Sequence, residues 1–98
     1  MKVTFSPAAL AALVEIHAYI ADDSPRSAAE VIAYLENLCL KLADFPGIGR
    51  LTGLEGIRVV PAVRYPYLVF YKILEQTQEV RILRIRHGAR EPLKPDEI

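Results

Sequence analysis

The sequence predicts an α+β domain: a short N-terminal strand, a two-helix antiparallel hairpin, then a three-strand antiparallel meander, with the helices packed on one face of a small sheet. Two observations carry this. Apolar residues recur at three- and four-residue spacing from Pro7 to about Asp44. After Gly56 the period changes to runs of Val, Ile and Tyr broken by turn formers. With 98 residues, 52% of them apolar, the chain has enough material for one core and too little for two. Residues 1–98 are therefore read as a single domain, with residues 91–98 expected as a flexible tail.

Each element has a local reason. Lys2 to Phe5 suits a strand and ends at once in Ser6-Pro7. Ser6 is placed to cap a helix whose first turn accepts Pro7, because a first-turn N–H has no partner to lose. Leu10, Leu13, Val14 and His17, with Ile16 and Ile20, then mark an apolar face through about Ala21, which makes His17 a packing residue. Asp22-Asp23 breaks this helix and Ser24-Pro25 repeats the starting device. The second helix, about 25 to 44, carries the stripe Ala28, Val31, Ile32, Leu35, Leu38, Cys39 and Leu42. Strands follow at Ile57 to Val63, Tyr67 to Leu74 and Val80 to Arg86, the last two as a hairpin. Alternation places Ile57, Val59 and Val63 inward and Arg58 outward, and sets Val80 and Ile82 opposite Arg81, Leu83 and Ile85, so the last strand reads as a central one, apolar on both faces.

Several classes of function are excluded. No run approaches the roughly 18 apolar residues of a membrane span, and the first residues lack a signal peptide's apolar region, so a soluble cytoplasmic protein is expected. Lone Cys39 between two leucines reads as a packed small hydrophobe. The glycines of 47–56 fit neither the dinucleotide fingerprint nor the P-loop, and the two histidines have no cluster of further metal ligands around them. Neither a cofactor nor a metal is implied.

Charge points to the second half. The formal net charge is zero, yet residues 1–49 carry minus three and residues 50–90 plus five, with seven arginines among the eight cations of the latter. Arginine favours planar, bidentate contact with carboxylate or phosphate. Arg84, Arg86, His87 and Arg90 gather at the end of the last strand, and Arg58, Arg64 and Tyr65 lie in an adjacent strand and its turn, so one anion-recognising patch is expected. His87 is the candidate general acid or base beside charge-stabilising arginines, should the surface cleave RNA.

The ordered set of segments resembles the RelE/ParE superfamily of toxins from bacterial type II toxin-antitoxin systems. Phe5-Ser6-Pro7-Ala8-Ala9 with Leu13, Ile16 and Tyr19-Ile20 is similar to the family's first helix, and Asp23-Ser24-Pro25 with Ala28-Ala29 to the start of its second. Phe45-Pro46-Gly47-Ile48-Gly49-Arg50, the strand with Arg58 and Val60, the run from Arg64 to Tyr71 and the ending from Val80 to Arg90 are similar to the rest. The resemblance implies a RelE/ParE-like fold and a growth-inhibiting toxin held inactive by a cognate antitoxin, whose extended or helical C-terminal region wraps it.

The superfamily's branches differ in target. RelE-like members are ribosome-dependent endoribonucleases that use arginines on the sheet with a Tyr, His or Lys near the C-terminus, whereas ParE-like members poison DNA gyrase. Arg58, Arg84 and His87 are the catalytic set that the nuclease branch would imply here. The tail Gly88-Ala89-Arg90-Glu91-Pro92 departs from that branch, with no late tyrosine and only Lys94 for a lysine cluster. The His87-Gly88-Ala89-Arg90 ending and the Ser24-Pro25 turn look more like the ParE branch, and zero net charge counts against rRNA contact. The expectation is a ParE-like gyrase inhibitor with no catalytic residue, in which Arg50, Arg58, Arg64, Tyr65, Arg84, Arg86, His87 and Arg90 serve recognition. The alternatives are a ribosome-dependent nuclease of mRNA and a non-toxic member that only binds antitoxin.

Overall fold

The computed structural model describes residues 1–89 and 93–97. Its elements are β1 (Lys2–Phe5), α1 (Pro7–Ala21), α2 (Pro25–Lys41), β2 (Arg50–Leu51), β3 (Arg58–Ala62), β4 (Tyr67–Leu74), β5 (Glu79–His87) and a short 3₁₀ turn at Pro95–Glu97. The five strands form one sheet in the order β1-β5-β4-β3-β2. β3, β4 and β5 are the expected antiparallel meander, while β1 lies parallel to β5, from Lys2 opposite Glu79 to Phe5 opposite Ile82. The first and last strands are thus neighbours, and the helical hairpin between β1 and the meander covers one face of the sheet.

Both helix starts are built as the sequence implies. The Ser6 hydroxyl oxygen accepts from the Ala9 N–H at 3.1 Å and that of Ser24 from the Ser27 N–H at 3.1 Å, caps worth about 1 kcal/mol each. Ser6 also ties α1 to the sheet, donating its N–H to the Ile82 carbonyl and its hydroxyl to that of Leu83. α2 buries Ala28, Val31, Leu35 and Cys39 as its stripe predicts, but ends at Lys41, with residues 42–44 forming turns. Burial pushes the Cys39 thiol up to about 12, which keeps it protonated and inert. α1 departs from its expected face: Leu10 and Val14 are 52% and 69% exposed and His17 is exposed, while Ala9, Leu13, Ile16 and Ile20 turn inward. A helix apolar on nearly every side gives periodicity nothing to choose between.

The main core lies between helices and sheet and includes Leu35, Leu42, Val60, Val69, Tyr71, Val80, Ile82 and Ile85. A second cluster, Ile57, Val59, Phe70 and Leu93, lies apart from it, with Leu68 and Leu83 at its edge. Val63, expected inward, is 89% exposed because β3 ends at Ala62 and the chain is already turning. Ile85 is also corrected. Tyr71 pairs with Ile82 and Phe70 with Arg84, so Leu83 is an extra residue in β5, a β-bulge. The bulge resets the alternation, returning Ile85 to the helix side with Val80 and Ile82. It leaves Arg84 and Arg86 facing away, paired with Phe70 and Leu68.

Of the expected tail, residues 91, 92 and 98 lie outside the described residues, and residues 93–97 pack back on the sheet. Leu93 is buried beside Phe70 and Val59. At the start of β5, the Glu79 carboxylate accepts from the hydroxyls of Thr4 and Thr77, which hold it below the ordinary carboxylate value of 4.5. A lowered folded-state pKa stabilises the protein above that ordinary value, and the contribution is lost as pH falls through the lowered one. Glu79→Gln is therefore expected to lower Tm at pH 7 and to become indistinguishable from the parent in strong acid. Thermal unfolding from pH 7 to 2 measures this, and a pH-independent difference overturns it.

Candidate recognition surface

The bulge in β5 presents Arg84 and Arg86 together. The Arg86 guanidinium forks onto the Glu97 carboxylate at 3.0 and 3.3 Å, its side chain only 16% exposed. The Arg84 Nε donates to the Glu97 carbonyl at 2.7 Å. The Lys94 N–H, then Arg86, hold the Glu97 carboxyl below the usual range. Beside this pair a cleft of about 250 Å³ is lined by Arg50, Thr52, Arg86 and His87 over an apolar floor that includes Val59 and Phe70. Three of the expected recognition residues thus share one cleft, with cationic groups at its rim and apolar surface beneath. Such a site fits an anionic group on an apolar or flat stem.

Arg58 is not among them. It pairs with Tyr71 and shares that residue's face of the sheet, the face toward the helices. Its Nη1 donates to the Gly49 carbonyl at 2.7 Å and the Gly47 carbonyl at 3.4 Å. The Tyr71 hydroxyl completes the brace, donating to the Pro46 carbonyl at 2.7 Å and accepting from the Gly49 N–H at 2.9 Å. Burial raises the Tyr71 pKa, and the Gly49 N–H and the Arg58 charge pull it partly back. Arg58 and Tyr71 therefore pin the 46–49 loop that leads into β2.

The other expected residues separate in the same way. Arg64 sits in the turn before β4, its guanidinium 5.7 Å from the centre of the Tyr65 ring. Tyr65 meets Tyr34 of α2 edge to face at 5.1 Å and packs against the main core. His87 is exposed at the end of β5, edge to face with Tyr67 at 5.8 Å. Its Nδ1 accepts from the Ala89 N–H at 3.0 Å, so a neutral ring carries its proton on Nε2. Arg90 lies outside the described residues. The single patch expected from the sequence is instead a cleft of Arg50, Arg86 and His87 with Arg84 beside it, while Arg58 and Tyr65 brace the fold and Arg64 stays exposed in the turn over the Tyr65 ring. Among the described residues, no three His, Cys, Asp or Glu side chains gather as metal ligands, and no helix is long and apolar enough to cross a membrane. Sequence reasoning missed Glu97 as the partner of both arginines, and Tyr71 as more than a strand former.

Known proteins share this arrangement of strands and helices. A chain of the chromosomal ParDE toxin-antitoxin system of P. aeruginosa superposes with a TM-score of 0.77 at 23% identity, over 89% of this chain and 95% of its own. A chain of the RelBE2 toxin-antitoxin complex of Mycobacterium tuberculosis does so with a TM-score of 0.62 at 25% identity, over 91% and 92%. In sequence, the protein named Toxin RelE2 of Caulobacter vibrioides is 36% identical over 91 residues, covering 91% of this chain and 97% of that one. The profile of the ParE toxin of type II toxin-antitoxin systems, parDE, matches residues 3–92, from β1 past the end of β5. With both fold and sequence matched over nearly its whole length, the chain belongs to the ParE toxin family within the RelE/ParE superfamily.

Proposed function

We propose that the chain is the toxin of a type II toxin-antitoxin system, that a cognate antitoxin neutralises it, and that it acts by inhibiting DNA gyrase. The match to the ParE profile carries this reading. The geometry supports it by scattering the set that RNA cleavage would need. Arg58 lies level with Tyr71 on β4 and His87 level with Tyr67, four residues along the strand or about 13 Å. Arg58 is also bonded to loop carbonyls. A general acid or base and the arginine stabilising the phosphorane must meet within a few ångströms of the same phosphate.

The test is gyrase supercoiling with detection of cleaved DNA, titrating the purified protein with and without antitoxin. Antitoxin-reversible inhibition is the expected result. Growth arrest in cells without any effect on gyrase overturns the target and moves the assignment to ribosome-dependent mRNA cleavage. That second reading draws on Arg86 and His87 lining one cleft. There His87→Ala abolishes cleavage in a folded protein.

A further inference from the structure

Neither the core nor the cleft uses the apolar residues of the loop that leads into β2. Phe45, Ile48 and Leu51 are each more than half exposed. Single apolar residues on a surface need no cause, but three large ones within seven residues mark a contact surface. The loop is also held still. The Phe45 N–H donates to the Lys41 carbonyl at 3.0 Å and the Ile48 N–H to that of Phe45 at 3.3 Å. Beneath them, the Tyr71 hydroxyl and the Arg58 guanidinium hold the carbonyls of Pro46, Gly47 and Gly49. A buried tyrosine and an arginine thus fix one surface loop, so its side chains lose little freedom when a partner meets them.

Gly47 has no explanation within the fold. A Cβ there would meet nothing within 4 Å among the described residues, and its φ lies outside the left-handed region. Neither packing nor backbone conformation requires a glycine. Glycine also serves where another molecule must come close to bare backbone. The shape of the loop says what kind of molecule. Side chains that stand out from one rigid loop make a convex feature, which needs a pocket, and a folded protein has pockets where an extended or helical segment has none. Lys41 and Arg50 flank the apolar run and outnumber Asp44, so carboxylates beside that pocket complement it. A second copy of this chain does not, since its own cleft is lined by Arg50, Arg86 and His87 and a two-fold contact brings like charges together.

We infer that the 45–51 loop is the surface by which the toxin grips its target enzyme: Phe45, Ile48 and Leu51 enter an apolar, acid-rimmed pocket of that folded protein, whose wall closes on the bare backbone at Gly47. The inference rests on the gyrase reading above, which makes gyrase the owner of the pocket. Arg50 joins the loop to the cleft. It shares a face of the sheet with Val59, its partner on β3, while Leu51 shares the opposite face with Arg58.

The experiment compares the unaltered protein with Gly47→Ala, Phe45→Ser and Ile48→Ser in four measurements: gyrase supercoiling, affinity for the purified antitoxin encoded beside this chain, Tm, and sedimentation velocity. Gly47→Ala adds one methyl in open space, so its Tm is expected to hold or rise. The concentration for half inhibition of gyrase is expected to rise about tenfold or more in the serine variants and about threefold or more in Gly47→Ala, with antitoxin affinity within about twofold throughout. A loop of structural importance alone would leave inhibition by the stable Gly47→Ala intact. Inhibition within about twofold of the parent in any of the three variants overturns the inference. So does antitoxin affinity that falls in step with inhibition, which gives the loop to the antitoxin, and so does a dimer that Ile48→Ser dissolves, which gives it to a second copy. Absence of inhibition by the unaltered protein overturns the gyrase reading and the docking surface together, whereas inhibition that the variants retain overturns the docking surface alone.

Discussion

Gly49→Ala is expected to destabilise the protein by about 1–3 kcal/mol, although the position lies in a loop and alanine is the smallest possible addition. A Cβ at Gly49 would lie 2.6 Å from the Tyr71 hydroxyl oxygen and 2.8 and 3.0 Å from ring carbons. Tyr71 is wholly buried and has nowhere to retreat. Tyr71→Phe removes the closest atom but strands the Gly49 N–H and the Pro46 carbonyl, a loss of similar size, about 1–3 kcal/mol. The two changes act on one contact. The double variant is therefore expected to cost less than the sum, by at least about 0.5 kcal/mol, because removing the hydroxyl relieves the closest of the three contacts the methyl makes. Urea denaturation of the four proteins closes the cycle, and additivity within error overturns the close approach. Arg58 shares this loop, so Arg58→Ala is expected to lose activity through stability, in proportion to its fall in Tm.

How much the sequence discloses depends on whether the cause of a feature is local. The caps at Ser6 and Ser24 act within three residues, and both helix starts follow from them. The boundaries of β4 follow equally from Pro66 and the turn after Leu74. β2 is two residues held by β3, and nothing in Arg50-Leu51 alone marks a strand. The site divides along the same line. That arginines gather at the end of β5 is visible in the chain, but which of them are free is not. Arg58 is claimed by carbonyls of residues 47 and 49, and Arg84 and Arg86 by Glu97, more than ten residues further on. These partners meet only in the folded chain.

The bulge in β5 decides which face carries charge, and a pair of substitutions reads it directly. Strict alternation from Val80 would send Arg84 and Arg86 toward the helices and Ile85 away from them. With Leu83 as the extra residue, Ile85 is buried in the main core opposite Val69, and Leu83 is only partly covered at the edge of the second cluster. Ile85→Arg is thus expected to leave no cooperatively folded protein, since an unpaired buried charge costs several kcal/mol against a total of about 5–15. Leu83→Arg is expected to fold and to lose about 1 kcal/mol or less, the partial burial of one side chain. Near-UV circular dichroism and urea denaturation distinguish the two, and a folded Ile85→Arg overturns the bulge. Deleting Leu83 is the harder case and the more informative one. It leaves Ile82 opposite Tyr71 and brings Arg84 next in line opposite Phe70, the pairing that already exists, so the shortened strand keeps its register. The deletion is therefore expected to fold with both arginines still on their own side. Its main loss is the Leu83 carbonyl, the acceptor that ties the Ser6 cap of α1 to the sheet.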